Sequence, residues 1–154
     1  MPRRLLLPAA VCAIAVFAAA VVTAGGKSQS TRILRFNEKT TLFKVVDNPP
    51  ADTGQNPETG DTVLFQGTLT QGTRKVGFDR GFCHVIDPPN AECTATFVFR
   101  NGSIGGVDSF DFSSKKAQPI AVMGGTGAYA AMRGQAKVTQ VSQEVARWVV
   151  TLTR

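Results

Sequence analysis

The sequence predicts an all-β protein, an eight-stranded antiparallel β-barrel, on three observations. From Thr31 onward, short runs rich in Val, Ile, Thr and Phe are broken by Gly, Pro, Asn and Asp. No stretch there sustains a 3.6-residue apolar period long enough for a packed helix. So many strands in a chain of 154 residues close most economically into a barrel, which removes exposed sheet edges. A chain of that length holds one core and one domain.

Residues 1–24 are expected to be a signal peptide. Arg3 and Arg4 precede an apolar run over 5–22, and Val22, Thr23 and Ala24 supply the small-residue pattern of a cleavage site. About 18 apolar residues approach the length of a membrane anchor, but the weak basic region and the small-residue end favour removal, so no membrane contact is expected after cleavage. Cys12 lies too deep in the apolar run for a lipoprotein site. Residues 25–30 are small and polar and read as a flexible leader. The barrel domain is 31–154, secreted into the extracellular space.

The strands are expected at 31–37, 41–46, 62–70, 76–86, 93–99, 103–112, 119–123 joined with 133–141, and 144–153, the first two being readable as one bent strand. Residues 47–60, carrying Asp47, Asn48, Pro49, Pro50 and Gly60, are a polar loop that can neither complete a ladder nor fill a core. Asn101-Gly102 is the strongest hairpin signal, because both residues tolerate the positive φ of a type I′ turn. Asn101-Gly102-Ser103 is also a glycosylation sequon. If Pro88 centres a hairpin, Cys83 falls opposite Cys93, within disulfide range on one face. Secretion makes that bridge the default expectation.

Cys93, Ala95, Phe97 and Phe99 alternate with Thr94, Thr96 and Val98, so one face packs inward. Phe36, Phe65, Phe97, Phe99 and Phe110 are expected to line the core or lumen. Trp148, the single Trp, packs inward in the alternating series Ala146, Trp148, Val150, Leu152.

The whole chain carries a formal charge of +6, with 17 basic and 11 acidic residues; losing Arg3 and Arg4 leaves +4. That excess is mild, and the cations are scattered along the sequence without an aromatic ladder, so no nucleic-acid partner is expected. Solubility accounts for the charge.

The stretch Gly60-Asp61-Thr62-Val63-Leu64-Phe65, then Val76-Gly77 with Gly81-Phe82-Cys83, then Ala95-Thr96-Phe97-Val98-Phe99, resembles the allene oxide cyclase family. Met123-Gly124-Gly125-Thr126-Gly127-Ala128-Tyr129 with Arg133-Gly134 resembles both that family and the plant dirigent proteins. The resemblance implies a barrel with an apolar lumen, in trimers or dimers, that holds a small hydrophobic molecule and steers its cyclisation or coupling. It implies no cofactor and no metal, and the single His84 with no metal-spaced cluster agrees.

The glycine run also has a physical reading: Gly124, Gly125 and Gly127 allow a tight structural turn from which Tyr129 plugs a barrel end. It lacks the Lys and Ser/Thr of a phosphate loop. By the resemblance Asn37 matches a polar lumen residue, Arg35 stands where the cyclases place a catalytic Glu, and Arg133 matches a dirigent Arg that holds a ligand oxygen. Arg35, Asn37, Tyr129 and Arg133 are therefore the candidate ligand contacts, with no catalytic residue assigned. Cys83 matches a lumen cysteine, which a bridge to Cys93 would take out of thiol chemistry. Asp79, Asp108 and Asp111 are further acids; Asp79 and its neighbour Arg80 must point to opposite faces. His84 gives no support to a nucleophilic triad. The alternatives are a non-catalytic ligand-binding protein, or a structural barrel whose lumen is filled with side chains.

Overall fold

The computed structural model describes residues 30–48 and 56–154. The expected signal peptide and nearly all of the leader lie outside the described residues, as does the middle of the 47–60 loop. Eight strands follow in order: β1 Thr31–Val46, β2 Thr62–Gln71, β3 Arg74–Asp87, β4 Asn90–Phe99, β5 Gly102–Asp111, β6 Gln118–Gly125, β7 Arg133–Gln140 and β8 Val145–Thr153. Each pairs antiparallel with its neighbours in sequence, and β1 also pairs with β8, so the sheet is a closed barrel with no free edge.

Two boundaries differ from the sequence reading, and the differences offset each other in the count. The polar stretch Glu38-Lys39-Thr40 does not interrupt β1. Its first part pairs with β8 from Thr31 to Lys39 and its second with β2 from Asn37 to Val46, with a bulge between Thr40 and Leu42 where it changes partners. Conversely, 119–123 and 133–141 are not one strand. Between β6 and β7 runs a short 3-10 turn, Gly127–Tyr129. Gly127 holds φ +56°, and a Cβ there would stand 2.3 Å from the Asn101 carbonyl oxygen, so only glycine lets this turn lie against the β4–β5 hairpin. Gly124 (φ +154°) and Gly125 end β6 just before it.

The β4–β5 hairpin is present, one residue earlier than expected. Phe99 pairs with Gly102, so the loop is Arg100-Asn101, and Asn101 is not at positive φ; Gly102 is, at +148°. In the β3–β4 hairpin Cys83 stands opposite Cys93, with a bulge only beyond Val85. The two Cα atoms are 4.0 Å apart and the cysteines are bridged.

Alternation sorts every strand into an inner and an outer face, but inner residue size is uneven. Towards the β4–β5 turn the barrel is solid: Phe36, Leu69, Phe97, Ile104, Tyr129, Val150 and Leu152 are buried against one another. Phe97 lies 5.4 Å from Phe36 and 4.7 Å from Trp148, ring centre to ring centre. Tyr129 reaches in from the 3-10 turn to Phe99 at 5.5 Å, with the Arg32 guanidinium 4.8 Å over its ring, and so plugs this end. Towards the β3–β4 turn the inner residues shrink to Ala91, Cys93, Ala95 and Gly106. The lumen is open there.

Candidate functional site

That open half is a cavity of about 700 Å³, within the range of small-molecule sites. Its wall is apolar: Phe65, Val85, Ala95, Phe110 and the Cys83–Cys93 bridge. The mouth is framed by Phe43, Phe112, Pro57, Pro88 and Pro89, with Lys115 and Gln143 beside them. Its floor is Ile120, Ala146, Trp148 and Glu38.

Glu38 is the polar centre of the site. It is buried, and its Oε2 accepts a hydrogen bond from Trp148 Nε1 at 2.7 Å. Its position follows from β1: Leu34, Phe36 and Glu38 share the inner face by period two, while Arg35, Asn37 and Lys39 face out. Burial pushes its carboxyl above the usual range, partly offset by the Trp148 hydrogen bond.

Behind Glu38 lies a second acid, Asp79 of β3, fully buried, with neither carboxyl oxygen in a hydrogen bond of good geometry. The strand between the two acids contributes Gly67. A Cβ on Gly67 would stand 2.6 Å from Asp79 Oδ1 and 2.9 Å from Glu38 Oε1, so the absent side chain is what lets the two carboxyls face each other. Burial first, and the Glu38 charge second, raise the Asp79 pKa to about 7. Two carboxyls this close, both desolvated, hold a proton between them at neutral pH more readily than they ionise together. The site therefore offers an oriented carboxyl, its pKa raised by burial, at the bottom of an apolar cavity, backed by a second raised acid.

None of the four ligand contacts expected from the sequence lines this cavity. Arg35 and Asn37 are on the outer face of β1, where the Arg35 carbonyl accepts a hydrogen bond from Gln71 Nε2 and Asn37 pairs with Arg147 of β8. They border a shallower outer depression with Gln71, Gly72 and Arg147. Arg133 is exposed at the start of β7. Tyr129 is buried, in the plugged end rather than the hollow one. Of the other acids, Asp79 faces inward and Arg80 outward, whereas Asp111 accepts from Ser113 N and Oγ in a turn and is held below the usual range by those bonds. Asp108 accepts the Ala121 amide at 3.2 Å, at the edge of the β5–β6 pairing. His84 is exposed. The expected packing roles of Trp148 and the five phenylalanines are as observed. Glu38 was the residue missed. Its inward register follows from Phe36 by period two, but a carboxylate between Asn37 and Lys39 reads as part of a polar break.

A closed antiparallel barrel, plugged at one end and hollow and apolar at the other, defines a class of barrels that enclose a cavity. Within that class the chain belongs to the dirigent-like protein family, whose model matches residues 21–153. Among solved structures it resembles a pyocyanin demethylase, with 23% identity and a TM-score of 0.66 over 79% of this chain and 99% of that one. It also resembles a pterocarpan synthase dirigent protein, with 16% identity and a TM-score of 0.70 over 82% and 86%. An exo-specific intermolecular Diels-Alderase shares 13% identity with a TM-score of 0.63, over 83% and 100%. At these identities the likeness is one of fold. No curated protein sequence gives a significant match.

Proposed function

We propose that this protein binds one small hydrophobic molecule in its lumen and steers its cyclisation or coupling. The observation that carries the reading is the buried Glu38 carboxyl, pushed above its usual range by burial and held by Trp148, at the floor of an apolar cavity of about 700 Å³. An apolar body would pack against Phe65, Phe110 and the disulfide, while an oxygen on the ligand accepts the Glu38 proton. Trp148 fixes the carboxyl in place, so the contribution is positioning together with general-acid polarisation. Pterocarpan synthase and Diels-Alderase relatives by fold lend support to a ring-forming reaction. A lumen left half empty weighs against a purely structural barrel.

Export is part of the same proposal, supported by the Cys83–Cys93 bridge. Self-association is a further part, supported by an outer apolar stripe on β3 of Phe78, Phe82 and Ile86, each 37–50% exposed.

Native mass spectrometry of the protein from its own host would record assembly mass and any retained molecule. Binding is then followed by quenching of Trp148, which sits at the cavity floor, with 1-anilinonaphthalene-8-sulfonate as the first probe. Ala95→Leu fills the lumen from its wall and is expected to weaken the probe at least about tenfold, 1.4 kcal/mol, while the barrel stays folded. Glu38→Gln preserves shape but not acidity; with the retained molecule as substrate it is expected to keep binding and lose about 100-fold or more in turnover. Unchanged probe binding in Ala95→Leu would overturn the lumen site. Binding without turnover in wild type would leave a carrier.

A further inference from the structure

Cations that are scattered along the sequence are gathered by the barrel's closure. Because β1 pairs with β8, the wall β7–β8–β1 combines residues from both ends of the chain. Its outward positions include Arg35 and Lys39 on β1, Arg147 on β8, and Arg133 and Lys137 on β7, all exposed. The pairings fix the pattern. Arg35, Val149 and Lys137 form one row across three strands; Asn37, Arg147 and Thr139 form the next; Lys39 and Arg133 stand at opposite ends. Neighbouring strands are about 4.8 Å apart and outward residues on one strand about 6.8 Å, so Arg35, Lys39, Lys137 and Arg147 each fall within one Debye length, about 8–10 Å at ordinary ionic strength, of another of the four, while Arg133 stands farther off at the end of β7.

The outward strand positions of this wall hold no acid. The one carboxylate on β1, Glu38, points into the lumen, and β7 and β8 contain no Asp or Glu. None of the five cations takes part in an ion pair among the described residues. Glu144, exposed in the turn before β8, stands at the Lys39 end; along the rest of the wall the concentration of charge costs self-repulsion. Between the cations stand Asn37, Gln135, Thr139, Thr151 and Thr153, which supply amide and hydroxyl groups.

We propose that this wall is a binding surface for an acidic polysaccharide, distinct from the lumen and independent of the lumen reading. The cations would meet the repeated carboxylates of an extended chain lying across the strands, and the interspersed amides and hydroxyls its sugar hydroxyls. The outward residues of these three strands at these positions include no aromatic side chain on which bases could stack, which disfavours single-stranded nucleic acid. Ile33 is the one large apolar side chain exposed among these positions, Leu42 and Phe43 lying beyond the bulge where β1 pairs with β2, so the wall lacks the apolar face of a bilayer interface.

The test uses the full exported protein with polygalacturonate as probe, measured by affinity electrophoresis and by titration at about 50 and 200 mM salt. The triple variant Lys39→Gln/Lys137→Gln/Arg147→Gln removes three charges from the wall. A control, Arg80→Gln/Arg100→Gln/Lys116→Gln, removes three exposed charges elsewhere. The wall variant is expected to bind about tenfold or more weakly and to lose much of its salt dependence, with the control within about twofold. Thermal melts followed by circular dichroism in both variants verify that the barrel is folded. Equal losses in the two variants would reduce the effect to net charge and overturn the proposal. So would absence of binding by wild type, or tighter binding to duplex DNA or to phosphatidylserine vesicles than to polygalacturonate.

Discussion

The two ends of the barrel are made by the same strands with the same alternation, yet one is solid and the other hollow. Along β4 the inner residues run Ala91, Cys93, Ala95, Phe97, Phe99, and across from them β5 runs Phe110, Asp108, Gly106, Ile104. Facing pairs at the plugged end, such as Phe97 with Ile104, fill the lumen from wall to wall, while Ala95 opposite Gly106 leaves a void. Alternation decides which side chains point inward; their volume decides whether the space they point into becomes core or site. The plugged half supplies packing stability, and the hollow half gives up contacts and replaces some of that loss with a covalent bridge between β3 and β4.

The largest expected effect comes from making the solid end hollow. Phe97 is buried and touches the rings of both Phe36 and Trp148. Phe97→Ala is expected to cost about 3–5 kcal/mol, seen as a lower denaturation midpoint in urea. It would also extend the cavity and loosen Trp148, shifting its emission. A loss below about 1 kcal/mol would mean that the two halves do not divide the labour as described.

Asp79 lies at the seam between the halves, opposite Phe97 and beside Gly67. Its proton leaves the unfolded chain near the ordinary 3.8 and the folded barrel only near 7. Between those values the folded state binds more protons than the unfolded one. Stability therefore falls as pH rises from about 4 to about 7 and levels off above. Glu38, also raised, adds to the same slope. Asp79→Asn is expected to flatten the dependence of melting temperature on pH and to gain on wild type at pH 8, by on the order of 2 kcal/mol. Thermal melts at pH 5 and pH 8 decide it: parallel wild-type and variant slopes would remove the carboxyl pair from the account.

Much of this contrast was legible in the sequence. The barrel, the pairing of Cys83 with Cys93, the inward phenylalanines and the glycine turn behind Tyr129 all follow from period two and from turn chemistry, which act locally. The polar site was not, for a reason visible in β1. A charged Glu38 between Asn37 and Lys39 reads as part of a solvated break, because burying a carboxylate is costly unless something compensates. The compensation is non-local. Trp148 donates from 110 residues away, and Gly67 on a third strand makes the room. Short-range patterning carries no trace of either, and the cationic wall was hidden in the same way, because it exists only once β1 and β8 have paired.

The smallest expected effect separates the site read from family motifs from the site built by the fold. Arg35 and Arg133 carry no ion pair among the described residues and stand on the outer face, away from the cavity. Truncating either removes an exposed side chain, so Arg35→Ala and Arg133→Ala are each expected to change stability by less than about 0.5 kcal/mol. Neither should alter quenching of Trp148 by the lumen probe more than about twofold, 0.4 kcal/mol. Ala95→Leu, which keeps every polar group, should abolish most of that quenching. If Arg133→Ala instead weakened the lumen probe as strongly as Ala95→Leu, the ligand would have to reach past the Tyr129 plug, and the solid end would be a second mouth rather than a floor.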